Sequence, residues 1–374
     1  MTPPTAGPAG DDLRDEFRES VRAVLKQASA SRVPQPVWAA EPTDPFVLDQ
    51  MASLGWSGLL VEEEYGGAGA GMLEATVVAE ELGAHLTPAP FLSSAVLAGT
   101  ALSAGGSPAQ RARWLPALAD GRLRGAALLT GPSGRPDAGL LDVTAAADGA
   151  GVLLRGVAGL ALDAAGADLL VVAARTGELY VVPGATPGVE ITELLGVDRT
   201  RRLATVVLRD VRMDSSARLE RSADALAAVF DRGTVACAAD GVGAARRALE
   251  MATDYAKQRH QFGRAIGSFQ AIKHKLADMY LLVQGASLAV EGAARALDTG
   301  VDARRLVAVA GSYARDAATK VTGDAIQVHG GIGYTWEHDC HRLFKRAKFD
   351  EMFLGDPSAS RDRLARLVLE RDGR

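Results

Sequence analysis

Two stretches in the last third of the chain carry polar side chains at spacings that suit a ligand. In "YAKQRHQFGRAIGSFQAIKHKLADM", residues 255–279, a helix ends near Arg259, Gln261 and Phe262, breaks at Gly263 and Gly267, and resumes with Ser268 and Gln270. That order gathers donors around one interhelical corner. Residues of these types are also common on ordinary helices, where Arg259 would be solvated and Phe262 would be core. In "AIQVHGGIGYTWEHD", residues 325–339, a helix runs into Gly330 and Gly331. Paired glycines let a backbone approach a ligand closely and present free N–H groups to phosphate oxygens, while Gln327 can both donate to and accept from a heterocycle. A helix C-cap followed by a tight turn would equally account for at least one of the glycines.

Two other stretches read more weakly. "GGAGAG", residues 66–71, lacks the strand, turn and helix frame with a later acidic residue that a dinucleotide fingerprint needs, so a permissive loop is expected. "WEHDCH", residues 336–341, sets His338 and His341 one helical turn apart with Cys340 off that face. A metal needs three or four converging ligands, so no metal site is read here and the histidines are expected at the surface or as capping groups.

The elements that must carry these residues follow from hydrophobic period. After a tail over 1–11, helical spacing recurs through 12–118, in "DDLRDEFRESVRAVLKQA" and "MLEATVVAEELGAHL", with proline-rich breaks between. Over 119–219 the runs shorten to "GAALLT", "GVLLRGV", "DLLVVAA", "LYVVPG", "VEITEL" and "LATVVLRDVRM", which suggests a compact β-barrel or sandwich. Helical period then returns over 220–374, in long segments 223–259, 268–299 and 302–328 that should pack as an antiparallel bundle. The layout is helical, then β, then helical, an α+β chain of 374 residues, too long for one simple domain. A net charge of -5 argues against a nucleic-acid partner. Cys237 and Cys340 are the only cysteines, which excludes a disulfide framework and suits reduced thiols in a cytoplasmic protein. The N-terminus lacks the apolar core of a signal peptide and no apolar run reaches spanning length, so no membrane span is expected.

Taken together, the order and wording of these stretches resemble the acyl-CoA dehydrogenase family along nearly the whole chain. "LGWSGLLVEEEYGGAGAG" is similar to that family's first-domain signature, and "DLLVVAARTG" with "LATVVLRDVRM" to its β-domain. The resemblance implies an N-terminal helical domain, a middle β-barrel or sandwich and a C-terminal four-helix bundle. It also implies FAD, an acyl-CoA substrate oxidised between Cα and Cβ, a place in lipid metabolism and an electron-transfer acceptor. In the family one subunit cradles the isoalloxazine and a neighbour binds the adenosine end. Arg259, Gln261, Phe262, Gln270, Gln327, Gly330 and Gly331 match that adenosine-side set.

The flavin-side set departs from the family. "LLTGPSGRPD", residues 128–137, has Gly131 in place of an acid and Arg135 in place of a serine, and "LRGVAGLALDAAGAD" has neither the Trp nor the Thr expected beside a flavin. The two positions at which members carry the catalytic base are Leu354 and Gly233, with Thr234 where arginine is usual. Some branches that oxidise bulky acyl-CoA thioesters, sterol side chains included, pair a base-bearing subunit with a base-lacking one. This resemblance implies a non-catalytic, FAD-completing partner in a heterotetramer, beside a second acyl-CoA dehydrogenase-like subunit that carries the catalytic glutamate. The alternative is a self-sufficient homo-oligomer using Glu351 or Asp356, since Glu351 on a helix would share a face with Leu354.

Overall fold

The computed structural model describes residues 8–30, 39–131 and 141–371. Its first third is helical: α1 (Pro8–Ala30), α2 (Pro45–Ser53), α3 (Met72–Ala84), a π-helical stretch Phe91–Ala98 that runs into α4 (Gly99–Gly105), and α5 (Pro108–Ala119). Local chemistry sets two of the starts. Asp44 accepts the N–H of Phe46 at 2.9 Å ahead of Pro45, and Ser107 with Gln110 forms a reciprocal capping box ahead of Pro108. Helix α1 begins at Pro8, so residues 8–11 are helical rather than part of a tail. Residues 1–7 lie outside the described residues. "GGAGAG" is a loop, with Gly66 and Gly69 at φ of +81° and +59°.

Seven strands follow, β1 (Gly125–Leu128), β2 (Thr144–Asp148), β3 (Gly151–Leu162), β4 (Leu169–Ala173), β5 (Leu179–Pro183), β6 (Val189–Leu194) and β7 (Leu203–Asp214). They form two sheets, ordered β1-β4-β5 and β2-β3-β7-β6, with β1 parallel to β4. The first sheet is buried on both faces, which explains its continuous apolar runs. One face, with Ala126, Leu128, Leu170, Val172 and Val182, packs on Leu154, Val206 and Val211 of the second sheet. Its other face, with Ala127, Leu169 and Val171, joins the helical core. Strand β2 was not expected: "TAAAD" has no large β-former, and pairing with β3 at the sheet edge supplies what its own residues do not.

The last third is a bundle of long helices: α6 (Ser222–Gln258), α7 (Gln270–Asp298), a continuous rod of α8 (Arg304–Val309), a π turn and α9 (Arg315–His329), then α10 (Cys340–Met352) and α11 (Pro357–Arg371). A short hairpin, β8 (His260–Gln261) with β9 (Arg264–Ala265), joins α6 to α7. Helix α6 is the spine, packing on α3, α7, α9 and α10. Its crossing with α3 is closed by glycine: a Cβ at Gly83 would stand 2.0 Å from the Asp240 carbonyl, and one at Gly243 would stand 1.8 Å from the Glu80 carbonyl. The Asp298 carboxylate at the end of α7 accepts the Met72 and Leu73 N–H groups at 2.6 and 2.9 Å, capping α3 from across the interface.

A buried ionic hub ties the β-domain to the bundle. Arg201, in the turn before β7, donates to Asp240 of α6 and Asp350 of α10, both at 2.9 Å. Arg346 of α10 grips Asp240 with two bonds of 2.7 and 2.8 Å and reaches the Thr200 hydroxyl at 2.6 Å. All four charged side chains are at most 5 % exposed. The two guanidinium groups hold the Asp240 carboxyl down at about 2 against the opposing effect of burial. Burial and the facing Asp240 hold Asp350 well above the ordinary carboxylate range. The neighbouring Asp198 lies 4.0 Å from Arg346. Asp240→Ala is expected to cost about 3–5 kcal/mol in denaturant unfolding, because two buried cations lose their anion. Arg122→Ala, which removes an exposed pair with Asp120, should cost little by the same measurement. A depressed Asp240 contributes stability above pH 4 that drains as the pH falls toward about 2, whereas the raised Asp350 works against the fold above pH 4. Asp350→Asn should therefore flatten the loss of stability on going from pH 4 toward neutrality, measured by the same unfolding curves.

Candidate functional site

The polar corner is assembled at one end of the bundle. Helix α6 stops at Arg259, whose backbone leaves helical geometry, and the hairpin turns through Phe262 and Gly263 at φ of +54° and +76°. Positive φ at both central residues is the two-residue turn that matches strand twist. This turn thrusts Phe262 outward, 91 % exposed, with an edge contact to Phe269 at 6.1 Å, so it is not a core residue. Gly267 lets the next turn lie against α6, since a Cβ there would meet the Ala256 carbonyl at 2.9 Å. Gln270 is the first residue of α7. Across the corner α9 ends at His329, which stacks on Tyr255 of α6 at 4.6 Å, and Gly330 follows at φ +65°. Arg259, Gln261, Gln270, Gln327, Gly330 and Gly331 are all exposed. A Cβ on Gly330 or Gly331 would meet nothing within 4 Å among the described residues. The Tyr255–His329 stack thus brings the two motifs to one end of the bundle and leaves their donors facing outward.

A second locus lies where the bundle meets the π-helical stretch. Leu354 follows α10 with a left-handed φ of +58°, and Gly355 continues at +101°. The buried Arg315 of α9 fixes this turn by donating to the Gly355 carbonyl at 2.5 Å and the Thr234 carbonyl at 3.4 Å. Leu354 is itself buried and presses on Gly233: a Cβ at Gly233 would stand 2.5 Å from Leu354 Cδ1 and 2.7 Å from Leu97 Cδ2. Leucine methyls therefore fill the space at both positions where a base was sought. Beside them a cavity of about 330 Å³ is lined by Phe230, Asp231, Thr234, Leu354, Ser360 and Arg363, among others. Its carboxylate, Asp231, is paired with Arg363 at 2.7 Å.

The expectation that Glu351 shares a face with Leu354 fails, because α10 ends at Met352 and Leu354 lies beyond it in left-handed backbone. Glu351 instead accepts from Thr319 at 2.9 Å and pairs with Lys348. Asp356 caps α11, accepting the Ala359 N–H at 2.8 Å. Neither is among the described residues that line the cavity.

At the end of β1 the Thr130 hydroxyl donates to the Gly159 carbonyl, and the Gly159 N–H donates back to the Thr130 carbonyl at 3.3 Å. Leu162 is buried, and the half-buried Asp163 accepts from Ser93 at 2.6 Å, with desolvation raising its carboxyl above the usual range. Gly131 is buried, and Arg135 lies outside the described residues. Sequence reasoning did not single out Arg315, Leu97 or Asp231. Arg315 and Leu97 sit in unremarkable helical runs, and only Asp231, two residues before Gly233, was near a position under scrutiny.

Comparison with known proteins places this geometry. Residues 11–122 match the acyl-CoA dehydrogenase N-terminal domain and residues 223–369 the acyl-CoA dehydrogenase C-terminal domain. The chain is 33% identical to the acyl-CoA dehydrogenase IpdE2 of Mycolicibacterium smegmatis over 359 residues, covering 96% of this chain and 98% of that one. Among solved structures it is similar to butyryl-CoA dehydrogenase from Megasphaera elsdenii, with a TM-score of 0.89, 26% identity and coverage of 99% and 100% of the two chains. A chain of the ChsE4-ChsE5 complex from Mycobacterium tuberculosis superposes with a TM-score of 0.84 at 29% identity, covering 98% of each chain. No helix among the described residues is long and apolar enough to cross a membrane.

The leucine plug makes a direct prediction. Gly233→Ala should destabilise the fold by about 1–3 kcal/mol through overpacking, and Leu354→Ala in the same background should recover part of that loss. A double-mutant cycle in denaturant measures the coupling. Simple additivity would mean that the two residues do not press on each other.

Proposed function

Since this chain belongs to the acyl-CoA dehydrogenase family, we propose that it is the FAD-completing, base-lacking subunit of a heteromeric acyl-CoA dehydrogenase. The observation that carries this reading is the contrast between its two loci. The corner that matches the family's adenosine-side set is open and rich in exposed donors. The positions for a base are filled by Leu354 against Gly233, and Thr130 is bonded to Gly159. Members of the family use FAD, and the residues present fit one end of it. When bound, that cofactor supplies the hydride acceptor for oxidation of an acyl thioester between Cα and Cβ.

Within this reading Arg259 brings a fixed cation and several donors to the polar end of the cofactor. Gln261, Gln270 and Gln327 offer amides, and the Gly330 and Gly331 backbone allows close approach. Phe262 projects from the hairpin tip into the neighbouring subunit. The base that removes the α-proton, and the donors that stabilise the thioester oxygen as charge develops, come from the partner. Similarity to a chain of the ChsE4-ChsE5 complex supports a paired assembly, and a heterotetramer follows if two such pairs combine. The electron acceptor belongs to the whole assembly. The reading in which Glu351 or Asp356 acts as base has no support in the geometry, since both are committed to other contacts.

The test is to express the chain alone and with its genomic neighbour. Alone it should show no acyl-CoA oxidation, because a missing general base costs about two to four orders of magnitude in rate. Leu354→Glu in the lone chain should not create activity. The pair should hold about one FAD by absorbance, and Arg259→Ala should weaken flavin retention about tenfold to a hundredfold, the loss of a charge-assisted contact. Robust turnover by the lone chain, or full flavin occupancy in both Arg259→Ala and Gln327→Ala, would overturn the assignment.

A further inference from the structure

Behind the Gly330–Gly331 turn the fold brings three soft donors together. His329 closes α9, His338 lies in the segment that follows, and Cys340 is the first residue of α10. One donor atom from each lies within 4.8 Å of the other two. His329 and Cys340 are buried and His338 is half-buried. Sequence spacing missed this set because it weighed His338 against His341. His341 is buried at the edge of Trp336, 5.0 Å away, and is not a surface group. His329, nine residues before His338, is brought across by the glycine turn, and the two rings lie 4.6 Å apart.

The tautomer of His329 suits a metal. Its Nδ1 donates to the Ala325 carbonyl at 2.8 Å, which leaves the Nε2 lone pair free. A second ring nitrogen tied to a carbonyl is the usual support of a metal-binding imidazole. Cys340 Sγ lies 3.3 Å from Nδ1 and 3.9 Å from Nε2. A tetrahedral zinc with Zn–S near 2.3 Å and Zn–N near 2.0 Å needs the sulfur on the side of the Nε2 lone pair, so Cys340 must change rotamer to close the site. His338 contributes a nitrogen after its Nδ1 releases the 3.2 Å bond it accepts from the Cys340 N–H. Two imidazoles and one sulfur exclude magnesium and calcium, which need oxygen ligands.

We propose that His329, His338 and Cys340 bind one borderline-soft divalent cation of the zinc class, with a solvent water in the fourth position. Binding transfers the Cys340 thiol proton to solvent as the S–metal bond forms, with no change of oxidation state. Burial has pushed that thiol up to about 12, so the bound metal must compete with a proton. The ion would clamp the end of α9 to the start of α10 across the glycine turn. The proposal does not depend on the redox reading of the chain.

The experiment is a cobalt(II) titration of the purified full chain under reducing conditions, followed by displacement with zinc. A thiolate-to-cobalt charge-transfer band should saturate at one equivalent and be abolished by Zn²⁺. Cys340→Ser should lose the band, Cys237→Ser should keep it, and His329→Gln or His338→Asn should each weaken cobalt affinity at least tenfold. Circular dichroism confirms that each variant is folded, and a zinc-dependent rise in Tm present in the wild type and absent in His338→Asn gives a second reading on the mildest substitution. Absence of a saturable band in the wild type, its persistence in Cys340→Ser, or affinity unmoved by both histidine variants would overturn the proposal.

Discussion

Two arginines buried between the β-domain and the bundle govern how this chain is put together. Arg201 and Arg346 can lie out of water only because Asp240, Asp350 and Asp198 surround them, and these five residues come from three separate parts of the chain. Hydrophobic contact alone would tolerate sliding between layers. A guanidinium with fixed donor directions does not, so the hub sets the register of α6, α10 and the turn before β7. Everything near the candidate catalytic position inherits that register. Gly233 lies two turns before Asp240 on α6, and Leu354 lies just past the end of the helix that carries Asp350.

The same spine explains why the two loci can differ so much in character. Helix α6 runs the length of the bundle, with the leucine-filled locus toward its middle and the open corner at its C-terminal end. Close glycine contacts with α3 and the buried hub fix the middle, where side chains have no room to change independently. The end is held by a ring stack and a two-residue turn, which orient the backbone while leaving side chains free in solvent. A chain built this way can lose polar groups from one locus, replace them with methyls, and leave the other unaltered.

Much of this was legible in the sequence. The long helical periods anticipated α6, α7 and the α8–α9 rod closely, and the short apolar runs located six of the seven strands among the described residues of the β-domain. The exception, β2, is made of alanines whose strand state depends on pairing. The polar corner was legible because glycine and glutamine punctuate it. The neighbourhood of Leu354 was harder. Its left-handed backbone is a tertiary effect, imposed where Arg315 holds the following carbonyl, so a helical-face argument from Glu351 could not apply. The hub was invisible for a similar reason: Asp240, Arg201 and Arg346 look like ordinary surface charges until distant elements bring them together.

The hairpin between α6 and α7 has a consequence for the cell as well as for the molecule. Its paired positive-φ residues fix the strand reversal, so Phe262 cannot fold back into the core, and Leu281 and Leu288 are likewise exposed one face along α7. An isolated copy displays these apolar side chains to solvent. Such surface is what chaperones and proteases recognise. If the chain pairs as proposed, translation in step with its partner becomes a condition of its survival, because any surplus would carry its own mark for removal.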